Sequence, residues 1–425
     1  MLAEVIGKDF SMDKLLEEMF KRERWVKAIQ IAVEKNMPYN ELEHYCDPKV
    51  LAELYTLIRD GEYDIIPPHQ QSIPKDDGGV RIVYINENLD RIILSIINDM
   101  LFEFCGSLVS ERSKAYQTDL SCGKVVREVV SRIADCKLNT IGIKADLSKY
   151  FDSVPLRFIE EVFDKVEGIC GKSTVVDLLR RYYRCDKCLN EKNEVIEHFQ
   201  SLKQGCAVAS FLANAILYDM DEEIKLLDVY YVRYSDDILI IGNEWEKGKE
   251  LLERRLNEKE LILNPKKVEV LTKDRFFKFL GFMIRGTEIS LSKKRLKNFQ
   301  KEILSRCMKA NSYKSALHMV NRYLYNGQYC WAKGVLAYIN NETDIKTLNI
   351  YVMDCLRAAQ TRRFDLGGLG IELEKKDGVV TRGTGSNVTS NRQRTAKHLD
   401  GYLTLFAAKK ALGNRDMFDN LVRSL

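Results

Sequence analysis

The sequence predicts an α+β fold, and three observations predict it. Short β-rich segments alternate with helical ones, without the regular strand–helix repeat of a doubly wound sheet. An apolar strand–turn–strand, residues 229–242 (VYYVRYSDDILIIG), lies mid-chain. From 291 to 365 the pattern is helical throughout. At roughly 150 residues per domain, the 425 residues suggest two or three structural units. A hydrophobic share of 45% and a charged share of 30% belong to a globular protein. Seven Pro and 24 Gly exclude collagen-like and low-complexity classes. No apolar run approaches the ~18 residues of a membrane span, and the N-terminus has no signal-peptide pattern. Eleven scattered Cys read as reduced thiols, so a cytoplasmic chain is expected. The net charge is only +4, so any basic surface must be local.

The elements follow in order. Residues 9–35 predict one amphipathic helix, N-capped by Ser11, with Leu15, Leu16, Met19, Trp25, Val26 and Ile29 on its apolar face. Pro38 closes it, 47–60 predict a second helix, and Pro67-Pro68 break regularity. Residues 71–85 predict a hairpin around Asp76-Asp77-Gly78-Gly79. Helices are expected over 88–105 and 122–135, a buried strand over 140–147, and a helix from Pro155 to about 184. A hairpin over 194–203 and a helix over 207–227 lead to the 229–242 pair. A helix (245–259), a strand (266–272) and a strand pair (277–290) follow. Residues 366–395, rich in Gly, Ser, Thr and Asn, read as a mobile loop, and 396–424 as a closing helix.

Two acidic segments carry the chemistry. One is Ile143 to Asp152, with Asp146 at the end of the buried strand. The other is Tyr234-Ser235-Asp236-Asp237, flanked by apolar β-residues. Asp disfavours strands, and neighbouring carboxylates repel unless neutralised. A divalent metal with oxygen ligands is the natural neutraliser. Should Asp146 lie beside the hairpin, three carboxylates converge and suit two Mg²⁺ ions. Such a pair activates a 3′-hydroxyl and stabilises a pyrophosphate leaving group. The plainer reading of a bare Asp-Asp pair is a polar turn; the strand on each side and Asp146 upstream argue against it.

These segments resemble the catalytic motifs of reverse transcriptases. Tyr234 to Asp237 is similar to the YxDD box, and Asp146 to Phe151 to the first metal-binding motif of the palm. Gln204-Gly205 with Leu212-Ala213-Asn214 resembles QG…LAN. Leu263 to Lys267 resembles LNxxK, Phe279-Leu280-Gly281 resembles FLG, and Ile73-Pro74-Lys75 with Arg81 resembles the fingers hairpin. The motifs keep the family's order across residues 73 to 281. The resemblance implies a right-hand polymerase fold: fingers, a palm with an antiparallel sheet, and a helical thumb. It implies residues 1–70 as an N-terminal helical extension, 71–290 as fingers and palm, 291–365 as thumb, and 366–425 as mobile loop and C-terminal helix.

Roles follow by position. Asp146, Leu147, Asp236 and Asp237 would hold two Mg²⁺. Lys75 and Arg81 would grip the incoming deoxynucleoside triphosphate, as point charge and planar fork. Gln204 and Gly205 would line its pocket, Lys267 would protonate pyrophosphate, and the Phe151 ring would exclude a 2′-hydroxyl. The family's usual Ser-Pro after QG is Ala209-Ser210 here, which bears on fidelity or template handling.

Residues 290–314 hold eight Lys/Arg against one acid, Glu302. With Leu296, Phe299, Ile303, Leu304 and Cys307 on one face, this segment resembles a first thumb helix. Lys293, Lys294, Arg295, Lys297 and Lys301 would grip nucleic acid through its backbone. Lys21, Arg22, Arg24 and Lys27 offer a second basic face, diluted by Glu17, Glu18 and Glu23. Cys185 and Cys188 with His198 make three zinc candidates where a structural site needs four. No nuclease or RNase H set and no Val-Thr-Gly signature of retron enzymes is found. What remains resembles bacterial abortive-infection and defence-associated reverse transcriptases. That implies anti-phage defence with a partner non-coding RNA as template or scaffold, a DNA product, no membrane, and room for an oligomer. Two alternatives stay open: a template-independent or protein-primed nucleotidyltransferase on the same fold, and a non-catalytic RNA-scaffold protein.

Overall fold

The computed structural model describes residues 13–74, 79–117, 120–197, 201–325, 330–362, 364 and 373–382. In chain order its helices are α1 (Lys14–Met19), α2 (Arg22–Glu34), α3 (Tyr39–Leu42), α4 (Pro48–Arg59), α5 (Asn88–Phe104), α6 (Cys122–Asp135), α7 (Tyr150–Ser153), α8 (Leu156–Cys170), α9 (Thr174–Arg184), α10 (Ala209–Ala215), α11 (Tyr218–Ile224), α12 (Trp245–Glu258), α13 (Lys293–Lys309), α14 (Tyr313–Tyr325) and α15 (Glu342–Thr361). Its strands are β1 (His69–Pro74), β2 (Val80–Ile85), β3 (Thr140–Asp146), β4 (Lys187–Leu189), β5 (Val195–Glu197), β6 (Val229–Tyr234), β7 (Asp237–Gly242), β8 (Glu269–Thr272), β9 (Phe277–Phe279), β10 (Phe282–Arg285), β11 (Glu288–Leu291), β12 (Leu373–Lys376) and β13 (Val379–Arg382). The sheets run β2-β1-β4-β5, β6-β7-β3-β8, β11-β10-β9 and β12-β13. The fold is α+β, as the sequence predicts. No helix among the described residues is long and apolar enough to cross a membrane.

The chain divides into two compact units. The first takes residues up to 117, 143–240 and 244–269; the second takes 118–142, 241–243 and 270 onward. The first unit is organised around α5, whose Ile92, Ile93, Leu94, Ile96, Ile97, Met100 and Leu101 are all buried. Trp25 and Ile29 of α2 and Ile159, Val162 and Phe163 of α8 join the same core. Burying such side chains contributes about 1.5–3 kcal/mol each before chain entropy is counted. In the second unit β9, β10 and β11 form an antiparallel meander, and Phe277, Phe279, Phe282 and Ile284 are buried in it. There α13, α14 and α15 bury Phe299, Val320, Leu348 and Cys355.

Several elements differ from the sequence reading. The single helix over 9–35 is two helices. Asp13 caps the first through the Leu16 N–H at 3.1 Å, and the Trp25 indole N–H donates to the Met19 carbonyl across the break at 2.9 Å. Ser11 lies outside the described residues. The helix expected from 155 to 184 breaks at Gly171, at φ +86°, and Ser173 caps α9. The hairpin expected at 194–203 is the β4–β5 pair, earlier in the chain and turned by the Asn190 side chain. The strand expected over 266–272 starts later, at β8, and residues 265–267 form a 3₁₀ turn capped by Asn264. Within the expected mobile loop, residues 373–382 form the β12–β13 hairpin. Its turn, Asp377-Gly378, is left-handed at both positions (φ +49° and +79°). The Val380 N–H donates to the buried Asp344 carboxylate at 2.6 Å. The rest of that loop and the 396–424 helix lie outside the described residues.

Candidate active site

The site begins where β3 ends. Ile141, Ile143 and Ala145 are fully buried, and Asp146 closes the strand with 6% of its surface exposed. Its neighbours hold it from two sides. The Leu147 N–H donates to the Asp236 carbonyl at 3.0 Å, and the Asn264 N–H donates to the Asp146 carbonyl at 2.8 Å. Leu147 bridges Leu263, and the Ser148 N–H reaches the Ile262 carbonyl at 2.9 Å. The LNxxK-like segment and the Tyr234 to Asp237 turn therefore meet at residue 146–147.

The β6–β7 turn is tight. Ser235 takes φ +62°, and its hydroxyl lies 2.9 Å from the Tyr116 hydroxyl. Beneath it, Arg233 is buried completely. Its guanidinium pairs with Asp221 at 2.6 Å and donates to the carbonyls of Ala213, Asn214 and Ser235. The Tyr231 hydroxyl donates to the same Asp221 carboxylate at 2.6 Å. Asn214 fastens the segment before Tyr116, accepting from the Ser113 hydroxyl at 2.6 Å and donating to the Ala115 carbonyl at 3.1 Å.

The carboxylates feel one another. Burial, with Asp236 and Asp146 adding to it, pushes Asp237 up to about 6 against the pull of Lys144. Burial also raises Asp236, with Asp146 adding and Lys267 and Arg81 opposing. The Lys267 ammonium donates to Asp146 at 2.8 Å. Burial works against its charge, but Asp146, Asp236 and Asp237 hold it above the ordinary lysine value. Among the described residues no three His, Cys, Asp or Glu side chains form a ready-made cation cage. The oxygen donors nonetheless fit a hard divalent ion, which would relieve the crowding that lifts Asp236 and Asp237.

The other predicted pocket residues lie in the same unit. Lys149, left-handed at φ +47°, leads into α7, where Phe151 is partly buried and set edge-on to Tyr150 at 5.7 Å. The Phe151 carbonyl accepts the Leu202 N–H at 3.1 Å, and the Gln204 carbonyl accepts the Tyr84 N–H at 2.7 Å. Gly205, at φ +111°, is required there, because a β-carbon would sit 2.7 Å from the Tyr84 carbonyl oxygen. Arg81, on the same strand as Tyr84, is exposed and close enough to act on Asp236. Ser210 of the departing Ala209-Ser210 pair donates to Asn98 at 3.0 Å. Lys75 lies outside the described residues, as does His198.

In the second unit, Lys293, Lys294, Lys297 and Lys301 stand exposed on α13. Arg295 turns inward instead. It donates to the Leu280 carbonyl at 3.0 Å and lies 4.2 Å from the centroid of the Phe282 ring, seated against Gly281. Its role here is structural packing against the FLG-like turn. Around α1 and α2, Lys21 pairs with Glu18, Arg24 with Glu18 and Glu103, and Lys27 with Asp99, so three of the four cations of the second basic face have acidic partners.

Sequence reasoning missed Arg233, Asp221, Tyr116 and Lys203. An Arg inside the apolar run Tyr230 to Tyr234 was a visible signal, since a charge in a buried strand needs a buried partner. Nothing local points to Asp221 as that partner.

A strand-borne Asp beside an Asp-Asp turn on an antiparallel sheet, backed by helices, defines a palm of the polymerase type. Residues 73–284 match the family described as reverse transcriptase (RNA-dependent DNA polymerase), and the chain belongs to that family. It is 26% identical over 265 residues to the retron Ec48 reverse transcriptase of Escherichia coli, a match covering 58% of this chain and 55% of that one. This likeness stands without a Val-Thr-Gly signature. It is 21% identical over 165 residues to a putative COX1/OXI3 intron 1 protein of Saccharomyces cerevisiae, covering 39% of this chain and 19% of that protein. Among solved structures, Candida albicans telomerase in complex with a telomeric RNA fragment aligns with TM-score 0.40 and 11% identity, covering 73% of this chain and 61% of that one. The chain thus spans little more than half the length of the retron relative.

Proposed function

We propose that this chain is a Mg²⁺-dependent reverse transcriptase that extends a 3′-hydroxyl with deoxynucleotides. Its template or scaffold is a partner non-coding RNA, and its setting is anti-phage defence in the bacterial cytoplasm. The carrying observation is the tie between Leu147 and Asp236, which brings Asp146 into the field of Asp236 and Asp237. Residues 71–290 serve as fingers and palm and 291–365 as thumb. Asp146, Asp236, Asp237 and the Leu147 main chain would hold two Mg²⁺. Bound there, the ions supply Lewis-acid activation of the hydroxyl and charge neutralisation at pyrophosphate. The chain's own groups do the rest. Lys267, kept protonated by three carboxylates, would give a proton to the leaving pyrophosphate. Lys75 and Arg81 hold the triphosphate, and Gln204-Gly205 receive the nucleotide.

The test is to purify the protein with whatever it carries, add Mg²⁺ and four deoxynucleotides without template or primer, and sequence co-purified RNA and new DNA. DNA complementary to one enriched RNA supports the proposal. DNA with no RNA counterpart favours the untemplated transferase.

Two further outcomes are expected. Phe151→Ala admits ribonucleotides, lowering deoxy-over-ribo selectivity by at least about tenfold in single-nucleotide incorporation, because the ring that would exclude a 2′-hydroxyl is gone. Selectivity unchanged from wild type places the gate elsewhere. Replacing Lys293, Lys294, Lys297 and Lys301 together by Gln reduces the salt slope of template–primer binding by about three. An unaltered slope removes α13 from the interface.

A further inference from the structure

A cation is buried immediately before Gln204, where the family's motifs ask for none. Lys203 is fully buried and left-handed, at φ +55°. Its ammonium donates to the carbonyls of Tyr182 at 2.8 Å and Cys185 at 3.2 Å, at the C-terminal end of α9. It also lies 4.2 Å from the centroid of the Tyr182 ring and 5.9 Å from that of Tyr183. Helix ends leave carbonyls unpaired and carry partial negative charge, so a cation is suited to this place. Burial depresses the Lys203 pKa, as it must for an ammonium with carbonyls rather than a carboxylate as its direct partners.

Position gives this contact its consequence. The residue before Lys203 is bonded to Phe151, through the Leu202 N–H at 3.1 Å. The residue after it is bonded to β2, through the Gln204 carbonyl and the Tyr84 N–H at 2.7 Å. The Cys206 N–H returns to the Lys203 carbonyl at 3.0 Å and closes the turn. The two sides of the nucleotide slot, Phe151 and Gln204-Gly205, therefore hang on one short segment. The Lys203 side chain ties that segment to a rigid helix.

We infer that Lys203 is a positioning residue of the nucleotide pocket. By tying residues 202–205 to the end of α9, it fixes the separation between Phe151 and Gln204-Gly205. It thereby sets affinity for the incoming deoxynucleotide and discrimination against a 2′-hydroxyl. The inference rests on the reverse-transcriptase reading of the site.

The experiment compares wild type, Lys203→Met, Lys203→Gln and a control, Arg180→Met. Arg180 is on the same helix, and its bonds go to Glu160, Asp164 and Glu167 of α8. KM and kcat for deoxy- and ribonucleotides and template–primer Kd are measured on each folded protein. Lys203→Met raises the deoxynucleotide KM about tenfold, leaves kcat within about twofold and lowers deoxy-over-ribo selectivity about tenfold, with template–primer Kd unchanged. Lys203→Gln, which keeps a donor, gives a smaller change of the same kind, about threefold, and decides the matter if the Met variant does not fold. Arg180→Met lowers the unfolding midpoint without moving KM or selectivity. Lys203 variants that match wild type in KM and selectivity overturn the inference, as does the same shift in the Arg180 control. A wild-type chain that incorporates no deoxynucleotide overturns the reverse-transcriptase reading first, and this inference with it.

Discussion

Replacing Asp236 and Asp237 together by Ala abolishes deoxynucleotide incorporation, by at least about 10³-fold, while co-purified RNA is retained at the wild-type level. The magnitude follows from removing two of the three carboxylates that would hold the Mg²⁺ ions, whose charge would stabilise phosphoryl transfer; loss of even one preorganised neutral donor costs about 10²–10³. RNA retention follows from position. Both side chains are half-buried at the mouth of the β6–β7 turn, and the expected nucleic-acid contacts lie on the exposed lysines of α13. Folding should survive, because burial and mutual repulsion already disfavour these carboxylates. Removing them relieves that strain, and the variant's unfolding midpoint should equal or exceed that of wild type. Incorporation assays with a template–primer, RNA sequencing of the purified protein and thermal melts read the three expectations separately. Incorporation within tenfold of wild type would remove the carboxylates from the chemistry.

What could be read in the sequence was local. The β3 strand, the β6–β7 pair and α5 announce themselves because their apolar periodicity is unbroken and their turns carry recognisable residues. Errors came where periodicity runs through a break. Apolar spacing continues across Gly171, so α8 and α9 read as one helix until the positive φ of that glycine is seen. Counting charge on α13 does not say which way each points. Arg295 precedes Leu296 and sits over the Leu280 carbonyl, which no helical wheel contains. The candidate site divides the same way. Its carboxylates lie in motifs and could be found, whereas the cations that hold the motifs in place are identified only by partners distant in sequence. Lys203 reaches back 21 residues to Tyr182, and Arg233 reaches back 12 residues to Asp221.

Arg233→Met destabilises the first unit by about 3–5 kcal/mol, the usual effect of leaving one half of a buried ion pair unpaired. The pair is wholly excluded from water, and the guanidinium donates to Asp221 and to three carbonyls, so its loss removes bonds to four acceptors at once. Asp221→Leu alone should be comparably harmful, because it leaves the Arg233 charge and the Tyr231 hydroxyl without their acceptor. The double variant should lose less than the sum of the singles, by at least about 2 kcal/mol, since neither charge is then left alone. It should not regain wild-type stability, because the guanidinium's bonds to the Ala213, Asn214 and Ser235 carbonyls are still missing. Urea unfolding of the four proteins measures this cycle, and strictly additive effects would mean that the pair is not coupled. Activity should follow a different rule from stability. One Arg233 bond goes to the Ser235 carbonyl, one residue from Asp236, so the double variant should stay poorly active at temperatures where it is fully folded. The ion pair thus acts on the chemistry through the geometry of the turn, and a folded double variant with wild-type incorporation would confine Arg233 to stability alone.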